Sequence, residues 1–219
     1  MNKFTIYGER CSGTTYLENL LILNFDIQIT WDYGWKHFFV FSNLQNSDNV
    51  LFIGIIRNLE DWINSLYIHK HHLALHLTNN IDAYLKDTFW SITKQNNEMM
   101  NDRHIETGER YKNIFELRLI KNKFLIEKMP TLVKNYCLIT HDDLLTDFDL
   151  VMNKLKNCGL KIKNNIKFPL NTIYYKGEPN NNIYKKKENI ISKEKIKECC
   201  KIEKELMIYE NILFPNFTL

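Results

Sequence analysis

The run Val50–Ile56, VLFIGII, constrains this chain more than any other stretch. With no polar residue in it, the run does not suit a half-solvated antiparallel sheet, where alternate side chains meet water; it suits a parallel strand covered on both faces. Parallel strands are joined by crossovers, usually helical. The expected class is therefore α/β, a three-layer arrangement with a central, mostly parallel sheet flanked by helices. The run ends at Arg57, and a helix should follow it. Asn58 can cap that helix, Glu60 and Asp61 fall in its first turn, and Trp62, Ile63, Leu66 and Tyr67 make an apolar face. Arg57 is then expected at the carboxyl end of a buried strand, with Ser65 about two turns into the helix.

A second stretch, Phe4 to Leu20, FTIYGERCSGTTYLENL, reads as strand, small-residue loop and helix. A loop of this kind presents backbone N–H groups at the positive end of a helix dipole, which makes it an anion cradle. Gly8 and Gly13 have the spacing of the Walker A pattern, G-x-x-x-x-G-K-[ST], but Thr14 takes the place of its lysine and Thr15 follows. That lysine normally reaches the β and γ phosphates. Its loss argues for a phosphate ligand without ordinary γ-phosphoryl transfer. In open α/β sheets the ligand crevice lies at the carboxyl ends of the strands, so Arg57 should sit beside the Gly8–Thr15 loop.

The remaining chain is read around these two stretches. The first helix should end near Asn24, and a short strand should cover Asp26 to Thr30. The aromatic segment WDYGWKHFF carries Lys36 and His37 directly ahead of the buried strand. His69, His71, His72 and His76 invite a metal reading, but partner carboxylates and a histidine pair at helical ligand spacing are lacking, so a solvated, substrate-facing segment is preferred. Residues 80–128 read as helices broken near Asn101 to Gly108. A strand is expected at Tyr136–Thr140, then a turn from His141 and a helix from Asp149 to Cys158 closed by Gly159. Asn164 to Lys187 should be a long loop, and one last helix should run from about Ser192 to Asn211.

Composition bounds the function. At 219 residues and 44% hydrophobic content, a single domain spanning 1–219 is expected, with no repeat or linker dividing it. A net charge of +3 does not point to nucleic acid. The five cysteines are odd in number and lack zinc spacing, which fits reduced thiols in a cytosol. No signal-peptide core and no apolar run near the ~20 residues of a spanning helix are present, so a soluble, cytoplasmic protein without a membrane partner is expected.

Three separated features occur in order: the glycine-hydroxyl loop, Lys36-His37 before a buried strand, and Arg57-Asn58-x-x-Asp61-x-x-x-Ser65-x-Tyr67. Together they resemble the sulfotransferases that use 3'-phosphoadenosine 5'-phosphosulfate (PAPS), a family with a P-loop-like α/β fold. The resemblance runs from residue 4 to about 177. It implies that Ser12, Gly13, Thr14 and Thr15 bind the 5'-phosphosulfate, and that Arg57 and Ser65, eight residues apart as in the family, bind the 3'-phosphate. His141-Asp142-Asp143-Leu144 is similar to a Tyr-Glu-Asp-Leu turn of the family, and Tyr175-Lys176-Gly177 to its Arg-Lys-Gly, which adds Lys176 and Gly177 to the donor-binding set. The family's cytosolic members have a lysine where this chain has Cys11, so Arg10 is the cation expected to reach the phosphosulfate.

The resemblance implies transfer of a sulfuryl group from PAPS to a hydroxyl or amine of a carbohydrate or small molecule, with 3'-phosphoadenosine 5'-phosphate (PAP) as product and no metal required. His37 is the expected general base, with Lys36 and Arg10 assisting and Asp32 or Glu9 as substitutes. Two rivals stand beside it: a P-loop nucleoside or nucleotide kinase, and a non-catalytic nucleotide-binding protein.

Overall fold

The computed structural model describes residues 1–39, 43–163, 173–175, 178–180, 188–201 and 203–215. Its centre is a four-stranded, all-parallel sheet of β1 (Lys3–Tyr7), β2 (Gln28–Ile29), β3 (Val50–Ile56) and β4 (Tyr136–Thr140), in the order β2-β1-β3-β4. β1 pairs with β3 from Lys3↔Val50 to Tyr7↔Gly54, and β3 pairs with β4 from Phe52↔Tyr136 to Ile56↔Thr140. Every residue of β3 is buried, as its unbroken apolar run requires.

Side-chain alternation along the strands divides the core into two faces. Phe4, Ile6, Leu51, Ile53, Ile55 and Ile139 pack on one face against α1 (Thr14–Asn24) and, further along the chain, α7 (Phe148–Asn157). Tyr7, Val50, Phe52 and Ile56 pack on the other with Tyr33, Phe39, Leu125 and Met129. A third cluster joins α2 (Leu59–Ile68), α3 (Ile81–Lys86), α4 (Ile114–Lys123), α8 (Lys193–Cys200) and α9 (Lys204–Leu213) through Trp62, Leu66, Tyr84, Phe115, Ile196 and Leu206. The chain is thus α/β with helices on both sides of a parallel sheet.

Several elements differ from the sequence expectation. Residues 80–128 are not mainly helical: between α3 and α4 the chain runs in irregular structure tied by isolated bridges Leu73↔Ser91, Phe89↔Tyr111 and Ile92↔Glu98. The apolar residues there, such as Phe89 and Ile92, are buried by tertiary contact, which periodicity cannot distinguish from a helix face. A π-helical turn, Phe124–Lys128, leads from α4 into the short α5 (Met129–Leu132). The expected turn at His141 is the helix α6 (His141–Thr146), capped by the Thr140 hydroxyl. The final helix is two, α8 and α9, so that Ile196 and Leu206 both reach the core. Two short antiparallel strands, β5 (Ile173–Tyr175) and β6 (Glu178–Asn180), fall within the expected long loop. Lys176 and Gly177 lie outside the described residues. Among the described residues, no helix is long and apolar enough to cross a membrane.

Candidate anion cradle and adjoining cavity

The strand order reverses direction between β1 and β3, and in open parallel sheets that is where ligands bind. The β1–α1 loop and Arg57 both leave the sheet at this point. Gly8 cannot be another residue without rearrangement, because an added Cβ would stand 2.7 Å from Ile55 side-chain and carbonyl atoms and from Ser12 Oγ. Cys11 (φ 65°) and Gly13 (φ 94°) adopt the left-handed conformation, and a Cβ on Gly13 would collide with the His141 ring. Sequence reasoning read His141 only as part of a turn; in the fold its imidazole stands over the loop.

The N-terminus of α1 is open. Gly13, which has no side chain to cap it, is its cap residue, and its first turn holds no acidic residue. Leu17 N–H is bonded to Gly13 O at 3.0 Å, so the preceding amides have no acceptor within the helix. Ser12 Oγ donates to Glu9 O (2.6 Å), which tightens the loop rather than closing the helix end.

Two cations from other segments come to this end. Lys36 Nζ donates to Thr15 Oγ1 at 3.2 Å and lies 3.5 Å from Glu18. Burial lowers the Lys36 ammonium pKa, with Glu18 acting in the opposite direction. Arg57 donates to Cys11 O at 3.2 Å, and its closest described carboxylate oxygen, on Asp61, is 3.8 Å away. Arg57 is 6% exposed, and its Nε–H finds no acceptor among the described residues. Its carbonyl is held by Arg118, which pairs with Glu210 at 2.8 Å. Asn58 caps α2 through Asp61 N–H (2.9 Å) and also donates to Asp142 (2.9 Å), fixing the strand-to-helix turn. Ser65 is half-buried on α2 and hydrogen-bonds the Cys11 thiol. Burial, countered by Ser65 and Arg57, pushes that thiol up to about 11, so Cys11 is a neutral thiol and not a nucleophile.

His37 sits on the other side of the loop. Its Nδ1 is 2.7 Å from Gly8 O. A carbonyl only accepts, so Nδ1 carries the hydrogen and Nε2 keeps its lone pair. Burial, reinforced by Arg10, holds the His37 pKa well below 6.5, so the ring is neutral near pH 7. The Lys36 carbonyl accepts from Gly8 N–H at 3.0 Å, which clamps Lys36 and His37 against the cradle. His37 lines a cavity of about 310 Å³ with Arg10, Trp35, Phe38, His72 and Met99.

Arg10 belongs to this cavity and not to the open helix end. It is buried, ion-paired to Asp102, and donates to Ser91 Oγ at 3.3 Å. Lys121 is ion-paired to Glu9, lies 2.7 Å from Asp102, and donates to His37 O at 2.8 Å. Burial would raise the Asp102 pKa, but Lys121 and Arg10 beside it outweigh burial and hold it low. The substitute bases differ in setting: Glu9 is committed to Lys121, and Asp32 is exposed near Lys3 at 3.8 Å. Among the described residues no group of three or more His, Cys, Asp or Glu gathers as a metal site.

Gly8–Thr15, Lys36, His37, Arg57 and Ser65 are thus brought together. Lys121 and Asp102, which draw Arg10 and Glu9 into one ion-paired cluster, and the approach of the His72 and His141 side chains to the loop were not read from sequence. No protein-family model, curated protein or solved structure matches the chain.

Proposed function

We propose that this chain is a sulfotransferase, with a P-loop-like α/β fold, that uses PAPS to sulfate a hydroxyl or amine of a small-molecule or carbohydrate acceptor. The observation that carries the reading is the convergence of two buried cations, Lys36 and Arg57, on the N-terminus of α1, with a neutral His37 on the far side of the same loop. The residues fit the donor. The α1 amides and the Thr14 and Thr15 hydroxyls bind the 5'-phosphate and sulfuryl oxygens, and Lys36 supplies the cation that the missing Walker lysine would bring. Arg57 and Ser65 bind the 3'-phosphate, the guanidinium being only weakly compensated by a carboxylate at 3.8 Å. With Arg10 engaged by Asp102, its part is to shape the cavity wall.

PAPS supplies the sulfuryl group, and its 5'-phosphate is the leaving group. His37 Nε2 accepts the acceptor's proton as the acceptor oxygen or nitrogen bonds to sulfur and the bond from sulfur to the phosphate oxygen breaks. Lys36 and the α1 amides stabilise the charge that collects on the departing phosphate.

The test is thermal stability with PAP against ATP plus Mg2+. A ligand that binds only the folded state raises the melting temperature by mass action. PAP alone should do so. A shift seen only with ATP and Mg2+ together would replace this reading with the kinase one, and binding without turnover of labelled PAPS over a panel of alcohols and amines would favour a non-catalytic binder.

A further inference from the structure

His37 is held at two points by different parts of the fold. Its ring donates from Nδ1 to Gly8 O at 2.7 Å, and its own carbonyl accepts from Lys121 Nζ at 2.8 Å. Lys121 stands on α4, 84 positions further along the chain, and is buried. A lysine ammonium has three N–H donors. Here each meets an acceptor: His37 O, Asp102 Oδ1 at 2.7 Å, and Glu9 Oε1. The same ammonium lies 5.2 Å from the centre of the Phe39 ring. Burial works against its charge, but Asp102 and Glu9 outweigh burial and raise its pKa, so it stays an ammonium.

Glu9 follows Gly8 directly, so these bonds close a circuit: Lys121 to His37 O, His37 Nδ1 to Gly8 O, and Glu9 back to Lys121. The cradle has further supports. Ser12 donates to Glu9 O from its N–H and its hydroxyl, Trp62 Nε1–H donates to Arg10 O at 2.9 Å, and Arg57 donates to Cys11 O. None of those supports involves Lys121, whereas the His37 carbonyl depends on it.

We infer that Lys121 is a positioning residue: it ties the His37 segment to the cradle loop and so keeps the ring on Gly8 O, with Nε2 left to take the acceptor's proton. This rests on the sulfotransferase reading for what Nε2 does, and not for how the ring is held. The hydrogen bond at one ring nitrogen sets which nitrogen carries the proton. Without the tie the ring can leave Gly8 O and carry its proton on either nitrogen, and a base displaced by about an ångström loses on the order of 100-fold in rate.

The experiment compares wild type with Lys121→Met, Asp102→Asn and the double variant by denaturant unfolding, by the ring-nitrogen NMR shifts of His37, and by transfer from labelled PAPS. Above the His37 pKa, wild type should show Nδ1 protonated and Nε2 bare. Lys121→Met should show the proton shared between the two nitrogens and transfer reduced roughly 10- to 100-fold, with PAP affinity little changed because the other supports of the cradle remain. Asp102→Asn keeps the Lys121 bond to His37 and should keep the wild-type ring. The double variant removes one cation and one anion together, so it should recover much of the stability that Lys121→Met loses, while its His37 behaves as in Lys121→Met. If Lys121→Met does not fold, the double variant carries the same test. Return of the wild-type ring and rate together with stability in the double variant makes Lys121 a structural charge only and overturns the inference. So does an unchanged ring in Lys121→Met, or a wild-type ring protonated on Nε2. If wild type transfers nothing from PAPS, the sulfotransferase reading fails by itself, and the ring shifts still decide the part played by Lys121.

Discussion

Two sides of one loop hold buried cations in opposite ways. On the side of the α1 N-terminus, among the described residues, Arg57 has the Cys11 carbonyl and a carboxylate at 3.8 Å, and Lys36 has the Thr15 hydroxyl and a carboxylate at 3.5 Å. On the cavity side, Arg10 and Lys121 are directly paired with Asp102, and Lys121 with Glu9. Desolvated charge is tolerated only with compensation. The second side carries its compensation internally and is structural. The first is less completely compensated among the described residues, beside the N-terminus of α1, and the proposed anionic donor would complete it.

The largest expected effect lies on the compensated side. Lys121→Met leaves Glu9 and Asp102 without their shared cation and should cost about 3–5 kcal/mol, read by denaturant unfolding. The corresponding Lys36→Met should cost less in stability than Lys121→Met, since its ammonium is only partly compensated in the native state, but weaken PAP binding. Equal losses of stability from the two would erase the distinction between the sides.

Next comes His37. His37→Ala should reduce sulfuryl transfer by ~100-fold or more, the range of general base catalysis, while PAP binds as before. A parallel fall in PAP affinity would make His37 a structural residue, and normal turnover would move the search for the base to Asp32 and Glu9.

A smaller effect is expected for Arg57→Ala. Loss of a charge-assisted contact to phosphate is worth ~1.5–3 kcal/mol, so PAP affinity should fall roughly tenfold to hundredfold. Unchanged affinity in a folded variant would separate Arg57 from the donor.

The smallest effect is in pH. The folded-state pKa of His37 lies below its ordinary value of 6.5, so between the two values the unfolded chain binds more protons. Stability from His37 is therefore present above 6.5 and declines as pH falls toward the folded value, by at most ~1.4 kcal/mol per pH unit. The same neutral ring predicts an acid limb in kcat/KM lying below pH 6.5. A limb above 6.5, or one that persists in His37→Ala, would assign the base elsewhere.

Local pattern made much of this site legible. β3, β4, the Asn58 cap and the glycine loop follow from apolar runs, turn residues and capping chemistry confined to a few neighbouring positions, and the structure has them where those rules put them. Arg57 beside the loop followed from one further rule, that ligand sites gather at the carboxyl ends of parallel strands. The stretch after α3 was misread because its apolar residues are buried by distant partners in an irregular chain, a pattern without a period.

What sequence by itself determined is the parallel sheet, the cradle and the presence of Lys36, His37 and Arg57 at its edges, because each depends on residues close in the chain. Tertiary structure alone decided which cations remain available. Lys121 lies 112 positions from Glu9, and Arg10 lies 92 from Asp102. No local rule links residues so far apart, and only their packing into one desolvated cluster ties Arg10 to Asp102 while leaving Arg57 Nε–H without an acceptor among the described residues. The same long-range packing sets the His141 ring over Gly13 and His72 in the wall beside His37, since both reach the site through the approach of separate segments and not through any spacing along the chain.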